Sequence, residues 1–193
     1  IRRTRRRLTF EGVESILIDL ENEMYNNLFI PGQRTPLNKQ HILDSLNKIK
    51  DILIYKHNSL FLHLITNLIN KVNVFGLHFA SLDVRQESTI HSNVIACIAA
   101  RPGYLPENYK NLSAGEKINL LTNITATVTD EPFENELATD TVATIKAIKT
   151  IQEFNGEPGC HRYIISQCSS ALNILEVYGL FLLCGWQKDA MTI

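Results

Sequence analysis

The sequence predicts a helix-rich α/β fold: a set of packed helices, then a β-α-β-α-β portion of a partial α/β (TIM-like) barrel with parallel strands. Three observations predict it. Residues 1–73 carry apolar stripes at helical spacing. Two short runs, Val74 to Val84 and Arg162 to Gln167, have strand character and lead into residues that cap a helix. The chain closes on Ala190 to Ile193, which reads as the opening of a third strand.

The first helix is expected where Val13, Ile16, Leu17, Leu20, Met24 and Leu28 recur among Glu14, Asp19, Glu21 and Glu23; Pro31-Gly32 ends it. Thr35-Pro36 signals the next start, a cap residue followed by proline at the first helical position. Ile42, Leu46, Ile49 and Leu53 form that helix's stripe, Asn58-Ser59 breaks it, and Leu60, Leu64, Leu68 and Val72 continue as a third helix. The run Val74 to Val84 is apolar on both alternations, as a buried parallel strand would be. It ends at Arg85, after which Ser88 or Thr89 caps a helix containing Val94, Ile95 and Ile98. Ser113-Ala114-Gly115-Glu116 is a capping box that opens a short helix. Val142, Ile145, Ile148 and Ile151 mark a long helix over 136–154, stopped by Asn155-Gly156. Ser169 or Ser170 caps a last helix, with Leu172, Leu175, Tyr178 and Leu182 on one face and Gly185 at its end. Residues 1–73 are thus a helical part and 74–193 a β-α-β-α-β part. A domain rarely stops at the start of a buried strand, since that strand's hydrogen bonds would lack partners. The 193 residues are therefore expected to be one internal segment of a longer chain, an expectation that the first residue, Ile1, supports.

Composition excludes several roles. A net charge of −1 with 45% hydrophobic residues gives no whole-molecule attraction to nucleic acid or anionic membrane. The most apolar stretch, Ala171 to Trp186, is short for a span and is interrupted by Asn173, Glu176 and Gly179. No secretory signal is visible, so the sequons at Asn111 and Asn123 read as chance matches. Cys97, Cys160, Cys168 and Cys184 form no C-x-x-C pair and read as free buried thiols in a reducing cytoplasm. The five arginines of Arg2 to Arg7 read as a solvated helix face rather than a phosphate-binding arm, since no aromatic residues interleave with them.

The residue best suited to ligand chemistry is Arg85. Ligands of parallel α/β folds meet the C-terminal ends of strands, and a guanidinium fork beside a helix N-terminus matches a carboxylate or phosphate. The competing reading is a structural salt bridge with Asp83 or Glu87. Asp83 shares the arginine's face of the strand and is placed to orient it. Glu87 and His91, four apart, have the spacing of one helical turn, which suits an ordinary charge-assisted contact better than a metal pair. His78 reads as a core histidine. His161 and Arg162 precede the second strand, at the end away from the expected ligand face, and read as structural. No glycine-rich phosphate loop, G-x-S-x-G elbow or H-E-x-x-H helix occurs, and no paired carboxylates at strand ends can be identified for a divalent metal.

The run Phe75 to His91, F-G-L-H-F-A-S-L-D-V-R-Q-E-S-T-I-H, resembles the strand–turn–helix of phosphoenolpyruvate carboxylases, whose core is L-D-(I/V)-R-Q-E-S followed by a histidine. Leu82 to Ser88 matches throughout and His91 falls in place. Tyr163-Ile164-Ile165-Ser166 resembles the family's Y-(V/I)-I-S-M-A, with Gln167-Cys168 in place of M-A, and Leu175-Glu176-Val177 resembles its S-D-(V/I)-L-A-V-(E/H)-L-L helix. The resemblance implies a large cytoplasmic enzyme around an α/β barrel, usually a homotetramer. It implies addition of bicarbonate to phosphoenolpyruvate with Mg²⁺ or Mn²⁺, giving oxaloacetate and phosphate, through carboxyphosphate and the enolate of pyruvate. It also implies that Arg85 holds the phosphoenolpyruvate or the intermediate, and Asp83, Glu87 and His91 are expected to support it from behind. The family's T-A-H-P-T-E histidine motif, its S-D-S-x-K-D-x-G and glycine-rich arginine segments, and the P-L-F-E-T segment with its metal-binding glutamate are not in this sequence. The segment is therefore expected to supply one wall of the site, with no catalytic residue, no metal and no turnover of its own. The alternative is a non-catalytic helical interaction module that keeps the family fold.

Overall fold

The computed structural model describes residues 10–33 and 35–188. The arginine cluster of Arg2 to Arg7 and the expected third strand at Ala190 to Ile193 lie outside the described residues. The chain divides into two compact units, Ile1–Ala80 and Ser81–Ile193.

In the first unit, α1 (Val13–Phe29), α2 (Lys39–Lys56) and α3 (Leu62–Phe75) follow one another. α2 packs on both α1 and α3. Val13 and Leu20 from α1 meet Ile42, Leu46, Ile49 and Leu53 from α2, the stripe the periodicity marks out. α2 begins later than Thr35-Pro36. Its N-cap is Asn38, whose side-chain oxygen accepts from the His41 backbone N–H at 2.9 Å, and a true side-chain cap satisfies a donor that a proline at 36 leaves alone. The break at Asn58-Ser59 is real: both residues, and Phe61, adopt positive φ.

Of the expected strand over 74–84 only the end forms: Asp83 and Val84 open a strand, Asp83–Glu87, and 74–82 do not belong to it. Val74 and Phe75 complete the last turn of α3, and Gly76 (φ 54°) accepts the helix end, its N–H bonded to Val72 O. The apolar run that read as a doubly buried strand is a helix terminus and a turn. Val74 and Phe79 are 71% and 77% exposed.

The second unit contains β1 (Asp83–Glu87), α4 (Ser88–Ala99), α5 (Ala114–Thr122), α6 (Glu136–Asn155), β2 (Arg162–Ser166) and α7 (Ala171–Leu183). β1 and β2 pair in parallel, with Asp83 opposite Arg162, Arg85 opposite Ile164 and Glu87 opposite Ser166. Three helices lie between them in sequence, the crossover that parallel pairing requires. Among the described residues the sheet has these two strands. Val84, Tyr163 and Ile165 pack against a core of Val94, Ile95, Ile98, Leu121, Ile145, Leu180 and Leu183. Neither strand is buried on both faces. Asp83 and Arg85, like Arg162, Ile164 and Ser166, are exposed.

The local signals for the helices mostly hold. Ser113 and Glu116 form the capping box of α5, Asn135 caps α6 and Gly156 ends it. At α7 the Asn173 side-chain oxygen folds back to accept from the backbone N–H groups of Ser169 and Ser170. α5 and α7 approach closely at Gly179, where a Cβ would lie 2.6 Å from a Leu121 methyl. All four cysteines are free, but Cys168 is exposed and Cys97 only half-buried, so the reading as buried thiols holds for Cys160 and Cys184. No described helix is long and apolar enough to cross a membrane.

Candidate functional site

Strand alternation sorts the sheet into two faces. Asp83, Arg85 and Glu87 lie on one, in register with Arg162, Ile164 and Ser166, while Val84, Gln86, Tyr163 and Ile165 lie on the other. Arg85 is the third of five strand residues rather than the last, because β1 continues through the Gln-Glu pair expected to lie in the turn. Its side chain is exposed, and among the described residues it has neither an ion pair nor a hydrogen bond. The competing reading of a structural salt bridge therefore finds no partner among the described residues.

The two carboxylates flanking Arg85 are engaged elsewhere. Asp83 Oδ1 lies 3.9 Å from Arg162 Nη1, across the sheet and two register positions before the Arg85–Ile164 pair. Glu87 Oε1 accepts the Thr89 hydroxyl at 2.6 Å. This Glu–Thr contact forms at the mouth of α4, where Glu87 is the residue before the first helical position. Ser88, expected as the cap, is instead the first helical residue and is buried; its hydroxyl donates to Gln167 O at 2.8 Å. That bond joins the β1–α4 junction to the β2–α7 junction, where Gln167 takes φ 53°.

Glu87 and His91 are not brought together. His91 has no exposed surface, and its Nε2 pairs with the Tyr163 hydroxyl at 2.9 Å. Helix α4 turns this side chain inward, against Tyr163, while the Glu87 carboxylate stays at the helix mouth. Burial pushes the His91 pKa down to about 4, so the ring is neutral at pH 7, and burial likewise pushes the Tyr163 phenol up to about 12. Tyr163 also stands edge-on to Phe181, with ring centroids 5.4 Å apart. A neutral histidine–tyrosine pair thus anchors α4 to β2 directly beneath the Arg85 face.

A second buried polar group has no counterpart in the sequence reading. Glu176 on α7, 3% exposed, accepts the Ser92 hydroxyl at 2.5 Å. Burial raises its pKa, opposed by Ser92, by the Lys117 charge and by the neighbouring Tyr109 phenol, whose oxygen is buried and makes no well-aligned hydrogen bond. The sequence signal for it was a glutamate within the apolar α7 stripe; only the fold supplies Ser92, distant in the chain, as its partner.

Among the described residues, no three His, Cys, Asp or Glu side chains converge where they could hold a metal ion. A cleft of about 340 Å³ lies beside α6, lined by Thr129, Asp130, Phe133, Lys146 and their neighbours. None of its lining residues belongs to β1, β2 or α4, so it is separate from the arginine.

The chain matches the family model described as phosphoenolpyruvate carboxylase over residues 7–192. It is 30% identical over 173 residues to a phosphoenolpyruvate carboxylase of Trichormus variabilis, covering 84% of this chain and 17% of that protein. It is 32% identical over 138 residues to one of Synechococcus sp., with 67% and 13% covered, and 35% identical over 119 residues to one of Prochlorococcus marinus subsp. pastoris, with 58% and 12% covered. The chain therefore spans about a sixth or less of the length of these curated relatives.

Proposed function

We propose, because this chain belongs to the phosphoenolpyruvate carboxylase family, that it serves as one wall of an active site that carboxylates phosphoenolpyruvate with bicarbonate to oxaloacetate and phosphate. The observation that carries this reading is the Arg85 guanidinium on the open face of the β1–β2 pair, without a partner among the described residues and within the run L-D-V-R-Q-E-S that resembles the family's. Phosphoenolpyruvate carries a carboxylate and a phosphate, and a planar guanidinium binds either with two parallel hydrogen bonds. As the phosphate leaves, charge gathers on the enolate oxygen, and a fixed cation nearby lowers the barrier for that step. The other residues support the arginine: Asp83 through its ion pair with Arg162, Glu87 at the mouth of α4, and His91 by anchoring α4 to β2.

In this reading β1 and β2 are two strands of an α/β barrel, and the barrel interior is the face that carries Arg85. In this reading any Mg²⁺ or Mn²⁺ used by the whole enzyme is held by other parts of it. The same holds for the groups that move protons and phosphate, and for the contacts of a cytoplasmic homotetramer. This chain alone is then silent in catalysis.

The test is oxaloacetate formation, followed with a coupled dehydrogenase, in the longer protein that carries this segment. Arg85→Gln is expected to lower kcat/KM by roughly 100-fold or more, the usual cost of removing one preorganised donor from a developing oxyanion. An unchanged kcat/KM in a folded Arg85→Gln protein sinks the reading.

A further inference from the structure

Arg85 stands between two carboxylates on its own face of β1. Asp83 and Glu87 each lie two residues away, roughly 7 Å along the strand. An arginine so flanked would ordinarily close an ion pair and lose its fork to a neighbour. It does not, because the Asp83 carboxylate is turned across the sheet to Arg162 and the Glu87 carboxylate takes the Thr89 hydroxyl. Only the first of these partners carries charge. Arg162 is the in-register neighbour of Asp83, so the parallel pairing itself fixes the contact.

We propose that Arg162 is a positioning residue: it holds Asp83 away from Arg85 and so keeps the Arg85 fork open for an incoming carboxylate or phosphate. The inference rests on the reading of Arg85 given above and deepens it. It gives Arg162 a task unlike that of a ligand contact, since it acts on the arginine only through Asp83. The pair is partly exposed, with 63% of the Arg162 side chain and 32% of the Asp83 side chain open to solvent. Its influence is therefore that of a surface ion pair, and losing it changes anion affinity by roughly two- to fivefold.

The experiment is a phosphoenolpyruvate titration of the longer protein that carries this segment, labelled with ¹⁵N at arginine and followed by NMR at the Arg85 Nε–Hε resonance. Five proteins are compared: wild type, Arg85→Gln, Arg162→Ala, Arg162→Lys, and Arg162→Ala combined with Asp83→Asn. Arg162→Ala is expected to bind about two- to fivefold more weakly. Arg162→Lys, which keeps the charge, is expected to stay near wild type, and adding Asp83→Asn to Arg162→Ala is expected to restore affinity. In the absence of ligand, the Arg85 resonance should move in Arg162→Ala and return in the double variant. Wild-type affinity in Arg162→Ala, while Arg85→Gln loses binding, overturns the role of Arg162 and leaves the reading of Arg85 intact. Loss in Arg162→Ala that Asp83→Asn does not recover also overturns it, because Arg162 then acts on the ligand or the fold directly. If Arg85→Gln titrates like wild type, or wild type shows no saturable shift, the reading of Arg85 fails. The ligand-free spectra then decide the ion-pair exchange alone, and an unmoved Arg85 resonance overturns it.

Discussion

Helices α3 and α7 are both rich in apolar residues, yet the fold treats them oppositely. α7 buries Val177, Gly179, Leu180, Phe181, Leu182 and Leu183, with Glu176 among them. α3 buries no residue: Leu64 and Leu68 are 56% and 42% exposed, and only Ile65, Ile69 and Val72 lean on the small core of the first unit. α7 packs against α4, α5 and α6, whereas α3 packs on α2. Apolar content says that a helix seeks partners, and the number of elements its chain segment can reach decides how much of it finds them. The polar chemistry follows the same division. The buried histidine, tyrosine and glutamate are in the second unit, where a core deep enough to shift their titration exists.

The sharpest way to break this comparison is a matched pair of truncations. Leu180→Ala empties a site with no exposed surface and is expected to destabilise the second unit by about 2–5 kcal/mol. Leu64→Ala, the same chemistry on a half-exposed site, is expected to change stability by about 0.5 kcal/mol or less. Urea unfolding followed by hydrogen exchange separates the two units. Equal costs would mean that α3 is covered in solution by something other than its own unit.

The comparison predicts a pH signature confined to the second unit. His91 has a folded pKa near 4, below its ordinary 6.5. The unfolded chain therefore binds more protons between these values, so the stability His91 contributes is complete above pH 6.5 and is lost as pH falls toward 4. A shift of that size is worth on the order of 3 kcal/mol. Glu176 runs the other way. Burial raises its pKa, so its contribution is complete below its unfolded value and fades as pH rises through the folded one. His91→Gln is expected to flatten the acid limb of second-unit stability between pH 6.5 and 4, and Glu176→Gln to steepen it. Denaturation midpoints across that range check both. An acid limb unaffected by His91→Gln would show that the Tyr163 contact tolerates the imidazolium.

Much of this was legible in the residues because it is local. The capping box at Ser113, the stop at Gly156 and the stripe of α2 depend on neighbours within one turn. The motif around Arg85 was legible because a seven-residue run is specific. What misled was a run whose local signals point two ways: Val74 to Val84 is apolar enough for a strand, but α3 had momentum through Val72 and Phe75, and Gly76 supplied the helix end. What could not be read was pairing across the chain. Nothing near His91 announces Tyr163, and nothing near Asp83 announces Arg162, until the register of two parallel strands sets them side by side.

A pair of helix caps offers the most even test of the two units. Asn38 caps α2 in the first unit by accepting from His41 N–H at 2.9 Å, and Asn135 caps α6 in the second by accepting from Ala138 N–H at 3.3 Å. Each is exposed, and each substitution to alanine removes one cap, at a cost of about 1 kcal/mol. The chemistry is matched and the surroundings are not. In the second unit the loss is one part of a core built from six elements, and its amides are expected to keep most of their protection. In the first, α2 supplies four of the six core residues and touches both other helices. Asn38→Ala is therefore expected to raise exchange throughout α1, α2 and α3 together, whereas Asn135→Ala raises it mainly in the first turns of α6. Exchange confined to the first turn of α2 in Asn38→Ala would show that the three helices do not open as one cooperative body.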